Sequence, residues 1–169
     1  MEPDEVLISV DPSLRGTGVS VLQRSAGKIR CLHFDVVKNP PKLSVAGCLL
    51  EIHARVQSII VQFSPHVMAI ESVIYVQSFA TAITLGSARG AALLAAAQKG
   101  LQIYEYAPRR VKKAVVGHGA AQKSQVAFMV RSMLGLTTTP PPDAADAIAV
   151  GLAHFQSTAS PLKSRSLLK

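Results

Sequence analysis

The chain reads as an α/β protein: a mixed five-stranded sheet flanked by helices. Three observations predict this. Three strand-like runs near the N-terminus are joined by short turns, as in an antiparallel meander. Beyond residue 43, helical and strand-like segments alternate. The runs VLISV and VMAI are apolar almost throughout, the pattern of strands covered on both faces.

The elements follow in order. Val6 to Val10 is a β-branched and aliphatic run of strand length. Pro12, Gly16 and Gly18 turn the chain, and Val19 to Leu22 runs back beside it. KIRCLHFDVV, residues 28–37, makes a third strand that NPPK stops. From Leu43 to Phe63, Val45, Leu49, Ile52, Val56, Ile59 and Ile60 fall at helical spacing, and the helix ends before Pro65. HVMAIE is a short buried strand. Gln77 to Lys99 is a helix dense in Ala and Gly, whose small side chains allow another helix close. LQIYEYA returns to a strand, a short basic helix starts at Pro108, another runs from Gln122 to Leu134, and a last helix from about Asp143 to Phe155 follows TTTPPP. The chain is expected to form one domain, residues 1–156, with a basic tail, 157–169, expected to be disordered.

Composition narrows the functional classes. With 169 residues, 49% of them hydrophobic, the chain can bury a core without disulfides or structural metal. Its two cysteines, Cys31 and Cys48, are expected to be free thiols in a reducing compartment. The longest strongly apolar helical stretch, residues 91–97, is expected to be too short to span a bilayer, so the protein is expected in the cytoplasm with no membrane partner. The formal charge is +8, and between Ser72 and Pro142 eight bases face a single acid, Glu105. Such a concentration suits a polyanionic partner such as nucleic acid.

The acids are as informative as the bases. Two strands end in one, Asp11 and Glu71, and the last helix opens with DAAD, placing Asp143 and Asp146 on one face. Singly, each has a structural explanation: Asp11 can cap its turn, and Asp143 and Asp146 suit a helix N-terminus. Jointly, four converging carboxylates would repel unless cations lie between them. Hard oxygen ligands of this kind suit Mg²⁺ or Mn²⁺, with substrate phosphate completing the shell. Together with the basic excess, this points to a metal-dependent nuclease.

ISVDPSLRGTG, AIESV followed by ALLAAA, YAPRRVKKAVVGHGAAQKSQV and DAADAIAVGLAH resemble, in order and over nearly the whole chain, the motifs of RuvC-type Holliday junction resolvases. The resemblance implies a ribonuclease-H-like fold and a homodimer that cuts four-way DNA junctions by paired symmetric nicks in recombination and repair. It further implies Mg²⁺, two ions per site with Mn²⁺ as substitute, and branch-migration partners of the RuvA and RuvB type. Asp11, Glu71, Asp143 and Asp146 correspond to the family's metal-binding catalytic carboxylates. Lys112 and Lys123 correspond to its phosphate-contacting bases, and Arg89 to a position open to DNA or a partner helix. Gly117 and Gly119 correspond to a glycine turn, while His118 and His154 are read as structural. The pattern departs at Ser13, where the family has Gly, and at Ile74, where it has a base-stacking aromatic that Tyr75 can replace.

Other readings compete. An RNA-processing nuclease of the same fold would trim ribosomal RNA precursors, and a junction-binding module would lack catalysis. An ATP-dependent sugar kinase or actin-like protein can share the first strand and turn, but needs two such domains.

Overall fold

The computed structural model describes residues 4–73 and 78–159. Its strands are β1 (Glu5–Asp11), β2 (Gly16–Ser25), β3 (Lys28–Lys38), β4 (Val67–Glu71) and β5 (Gln102–Tyr106). Its helices are α1 (Val45–Phe63), α2 (Phe79–Gln98), α3 (Pro108–Val116), α4 (Lys123–Leu134) and α5 (Pro142–Thr158). The strands form one five-stranded sheet in the order β3-β2-β1-β4-β5. β1–β2 and β2–β3 are antiparallel, as the short turns dictate, whereas β1–β4 and β4–β5 are parallel because a helix crosses between them. This is the α/β fold with a mixed five-stranded sheet expected from the sequence.

Side-chain parity divides the core in two. Ile8, Val10, Met68, Ile70 and Ile103 pack on one side with Cys48, Ile52, Val56 and Ile59 of α1 and Ala88, Ala92, Ala95 and Ala96 of α2. Leu7, Val67, Ala69 and Tyr106 pack on the other with Val111, Val115, Val126, Val130 and α5. Counting on by twos from Leu7 on β1 reaches Asp11, and from Val67 on β4 reaches Glu71, so both terminal acids belong to the α5 side.

α5 lies very close to the sheet. A methyl group on Gly18 would fall 1.9 Å from the Asp143 carbonyl oxygen, and one on Gly151 would fall 2.8 Å from Ser9 Oγ. Ser9 and Ser20, facing each other beneath this helix, share a buried 2.6 Å hydrogen bond. Small residues on both surfaces thus set how near the helix start comes to the strand ends.

Some expectations change. α5 begins one residue earlier than read from the sequence and continues to Thr158, beyond the domain boundary at 156; residues 160–169 of the basic tail lie outside the described residues. α2 begins at Phe79, after a cap in which Ser78 accepts from the Thr81 amide, and Gln77 lies outside the described residues. The apolar stretch 91–97 is only part of α2, and the whole helix, 20 residues, is long and apolar enough by length and composition alone to cross a bilayer. Cys31 and Cys48 are free, as expected, and burial pushes the Cys31 thiol up to about 11.

Candidate active site

Asp11 and Glu71 end neighbouring parallel chains of the sheet, one residue beyond the paired positions Val10 and Ile70. The α5 helix descends onto this edge with Asp143 in its first turn and Asp146 three residues on. The result is a cleft of about 280 Å³ in which Asp11, Glu71 and Asp146 meet Lys112 of α3 and Lys123 of α4. Pro12, Leu85, Val126 and Ala149 supply apolar wall.

None of the acids is consumed by local structure. The turn after Asp11 is closed instead by Thr17, whose hydroxyl donates to the Ser13 carbonyl at 2.5 Å and accepts from the Ser13 amide at 3.1 Å. Ser13 has no left-handed backbone angle, so its side chain fits where the related pattern has glycine. The N-cap of α5 is Pro141, with no side-chain capping bond, so Asp143 does not serve as the cap.

Burial first, and charge crowding after it, shape the electrostatics. Burial, followed by the Glu71 and Asp146 charges, holds the Asp11 carboxyl well above the ordinary carboxylate range. Glu71 is also raised, chiefly by burial and further by Asp146, although a hydrogen bond with Asp11 and the charges of Lys112 and Lys123 act against this. Lys123 Nζ lies 3.0 Å from Asp146 Oδ2, and that contact raises the lysine's proton affinity despite partial burial. A buried group of hard carboxylate oxygens that repel one another, already drawing an ammonium to one member, is a donor set that fits a hard divalent cation. Among the described residues no three acidic, imidazole or thiol side chains close into a ready-made cage. A Mg²⁺-type ion does not require one, since it keeps waters and is completed by phosphate oxygens.

The residues singled out from the sequence separate into groups. Asp11, Glu71, Asp146, Lys112 and Lys123 share the cleft. Asp143 lies beside it, its carboxylate against Gly16, within electrostatic reach of Lys123. Arg89 stands apart from the cleft, its guanidinium in an ion pair with Glu105 on the inner side of α2. Glu105 faces that helix because it has the opposite parity from Glu71's neighbour Tyr106. Tyr75 and Ile74 lie outside the described residues.

Other residues escaped the sequence reading. Val126 and Ala149 were legible as cleft residues, each lying three positions beyond Lys123 or Asp146 on the same helix face. Arg109, Arg110 and Lys113 form a second concavity with Gly119 and Ala120 on the far flank of α3. The run RRVKK signalled basicity, but only the burial of Val111 and Val115 assigns Lys112 to one flank and the other three to the rest of the helix surface. Gly117 ends α3 with a left-handed φ of 94°, in keeping with the glycine turn.

A family model described as crossover junction endodeoxyribonuclease RuvC matches residues 7–154. A protein of that name from Akkermansia muciniphila is 47% identical over 161 residues, covering 95% of this chain and 96% of the relative. Among solved structures, Thermus thermophilus RuvC in complex with Holliday junction substrate superposes with a TM-score of 0.88 at 36% identity, covering 96% of this chain and 99% of that one. The yeast mitochondrial Holliday junction resolvase shares the fold, with a TM-score of 0.63 at 9% identity over 90% of this chain and 80% of that one.

Proposed function

The chain belongs to the RuvC family of crossover junction endodeoxyribonucleases, and from that premise we propose how its residues divide the work. It is a Holliday junction resolvase, a hydrolase of DNA recombination and repair; neither RNA processing nor junction binding without catalysis is favoured. The observation that carries the residue-level reading is the meeting of Asp11, Glu71 and Asp146 with Lys112 and Lys123 in one cleft.

In this reading Asp11, Glu71, Asp143 and Asp146 hold Mg²⁺, two ions per site with Mn²⁺ as substitute. The bound metal supplies Lewis-acid activation of water and stabilisation of the leaving oxygen. Lys112 and Lys123 hold the scissile phosphate at the mouth of the cleft. Burial of Asp11 and Glu71 beneath α5 limits water around the reacting phosphate and strengthens each charge that acts on it. Arg109, Arg110 and Lys113, on the far flank of α3, extend the phosphate-binding surface along a duplex arm.

Two copies would match the two symmetric cuts of a junction. The face supporting this lies along α1 and α2, where Leu50, Phe79, Ile83 and Leu94 are exposed and a groove runs past Gly90 and Ala91. Large apolar side chains gathered on one face mark an interaction surface. We read that surface, in a cytoplasmic homodimer that also works with RuvA- and RuvB-type branch-migration proteins, as the seat of the second copy.

The decisive assay incubates the protein with a four-way junction, a linear duplex and structured RNA, each with and without Mg²⁺. Paired symmetric nicks in the junction alone, abolished by chelation and by Asp11→Asn, are expected. Normal cutting by Asp11→Asn overturns the assignment of the carboxylates. Sedimentation as a monomer during paired cutting overturns the dimer.

A further inference from the structure

We infer that Lys123 is a built-in stand-in for the metal: its ammonium holds Asp146 in the metal-free protein, yields that carboxylate when a divalent cation binds, and is thereby released toward the substrate phosphate. The inference rests on the metal reading of the carboxylates above, and it adds an order of events to that reading.

Three observations carry it. First, the contact is direct, 3.0 Å from Lys123 Nζ to Asp146 Oδ2, whereas Lys112 in the same cleft makes no ion pair among the described residues and acts on Glu71 at longer range. Second, the pair is lopsided. The Asp146 side chain is 19% exposed and fixed on α5, while that of Lys123 is 66% exposed. A flexible four-carbon stem with its base in solvent can swing away at little cost, which a forked guanidinium clamped on a carboxylate would resist. Third, the position of Lys123 works against its own helix. It is the first residue of α4, where the helix dipole disfavours a cation, and the N-terminus is already capped by reciprocal bonds between Gln122 and Gln125. Nothing in α4 calls for a lysine there, and its charge is drawn instead by Asp146, Asp11 and Asp143 across the cleft.

A divalent ion drawn to Asp146 would repel the ammonium already on it, and of the two groups in that pair the exposed lysine is the mobile one. The exchange gives the cleft a cation at every stage, so that the buried acids are never left to repel one another unopposed. It also makes the phosphate-binding lysine available only once the metal is in place.

The test uses the full chain without DNA, titrated calorimetrically with Mn²⁺. Lys123→Gln is expected to bind Mn²⁺ about tenfold more tightly than the wild type. Lys112→Gln, which removes the same charge from the same cleft without an ion pair, is expected to gain clearly less. In the wild-type protein, the side-chain ε-carbon resonance of Lys123 is expected to move toward its free-lysine position on saturation with Mg²⁺. This readout needs no substitution to fold. Equal gains by the two variants, or an unmoved Lys123 resonance, overturn the exchange. Failure of the wild type and both variants to bind Mn²⁺ at all overturns the metal reading beneath it, and the exchange with it.

Discussion

The two ends of β1 treat an acid in opposite ways. At the start of the strand, Glu5 is surrounded by partners: Arg24 Nη2 donates to it at 2.8 Å, and His154 Nε2, near the far end of α5, lies 3.5 Å away. His154 is held in turn by a 2.8 Å hydrogen bond between its Nδ1 and the Tyr106 hydroxyl, and Arg24 also lies over the Phe155 ring. At the other end, Asp11 meets Glu71 and Asp146. One carboxyl is therefore held below its ordinary value, first by the adjacent His154 imidazole, and the other well above it, first by burial. The same strand and helix thus carry an acid that stabilises the fold and a group of acids that strains it, and the strained end is the one to which we assign the chemistry.

Asp11→Asn tests this contrast with the largest expected effect. Junction cleavage is expected to fall by about two orders of magnitude or more, the equivalent of about 3 kcal/mol of lost transition-state stabilisation. Junction binding is expected to persist, because a lost negative charge does not weaken attraction to phosphate. The metal-free variant should nevertheless melt higher than the wild type, by about 1 kcal/mol of stability at neutral pH. The sign follows from the raised folded-state value: Asp11 costs stability once pH exceeds its ordinary 3.8, so the advantage of the variant should vanish as pH falls below that point. Mg²⁺ should raise the melting temperature of the wild type and do less for the variant. A variant that melts lower than the wild type without metal would erase the contrast.

Gly18→Ala attacks the close approach of α5 that creates the strained end. With the new methyl 1.9 Å from the Asp143 carbonyl, the first turn of the helix must move. Loss of about 2 kcal/mol of stability is expected, together with a fall in turnover larger than unfolding explains. Full activity in the folded variant would show that the helix start need not lie so near the strand ends.

Glu5→Gln probes the satisfied end. It should lower stability by about 1–2 kcal/mol while leaving cleavage per folded molecule unchanged. The wild-type contribution of Glu5 should be fully present above its ordinary 4.5 and disappear as pH falls through its lower folded-state value, so urea midpoints of wild type and variant should converge in acid. Divergence on acidification would reverse the argument.

Arg109→Ala and Lys113→Ala give the smallest effects. Each should weaken junction binding modestly and reduce the slope of log affinity against log salt by about one, with little change in turnover at saturation. Unchanged slopes would remove the far flank of α3 from the DNA path.

Much of this was legible in the sequence, for a definite reason. VLISVD and VMAIE announce strands whose parity, once both faces are buried, also dictates the side from which Asp11 and Glu71 emerge. The DAAD spacing likewise sets Asp143 and Asp146 on one face of a helix. Arg89 shows where such reasoning ends. Its spacing on α2 left DNA or a helix open as partners, and Glu105 answered from a strand sixteen positions away.

Local sequence determined the elements, their faces and the four acids at their ends, because periodicity and turn chemistry act between near neighbours. Only the tertiary structure decided which charges meet: Lys123 with Asp146, Arg89 with Glu105, Glu5 with Arg24 and His154. Those pairings depend on how closely α5 and α2 settle on the sheet, a distance set by Gly18, Gly151, Ser9 and the alanines of α2 acting together from distant parts of the chain. Electrostatic energy varies steeply with that distance and with the water it excludes, and neither is written in any one segment.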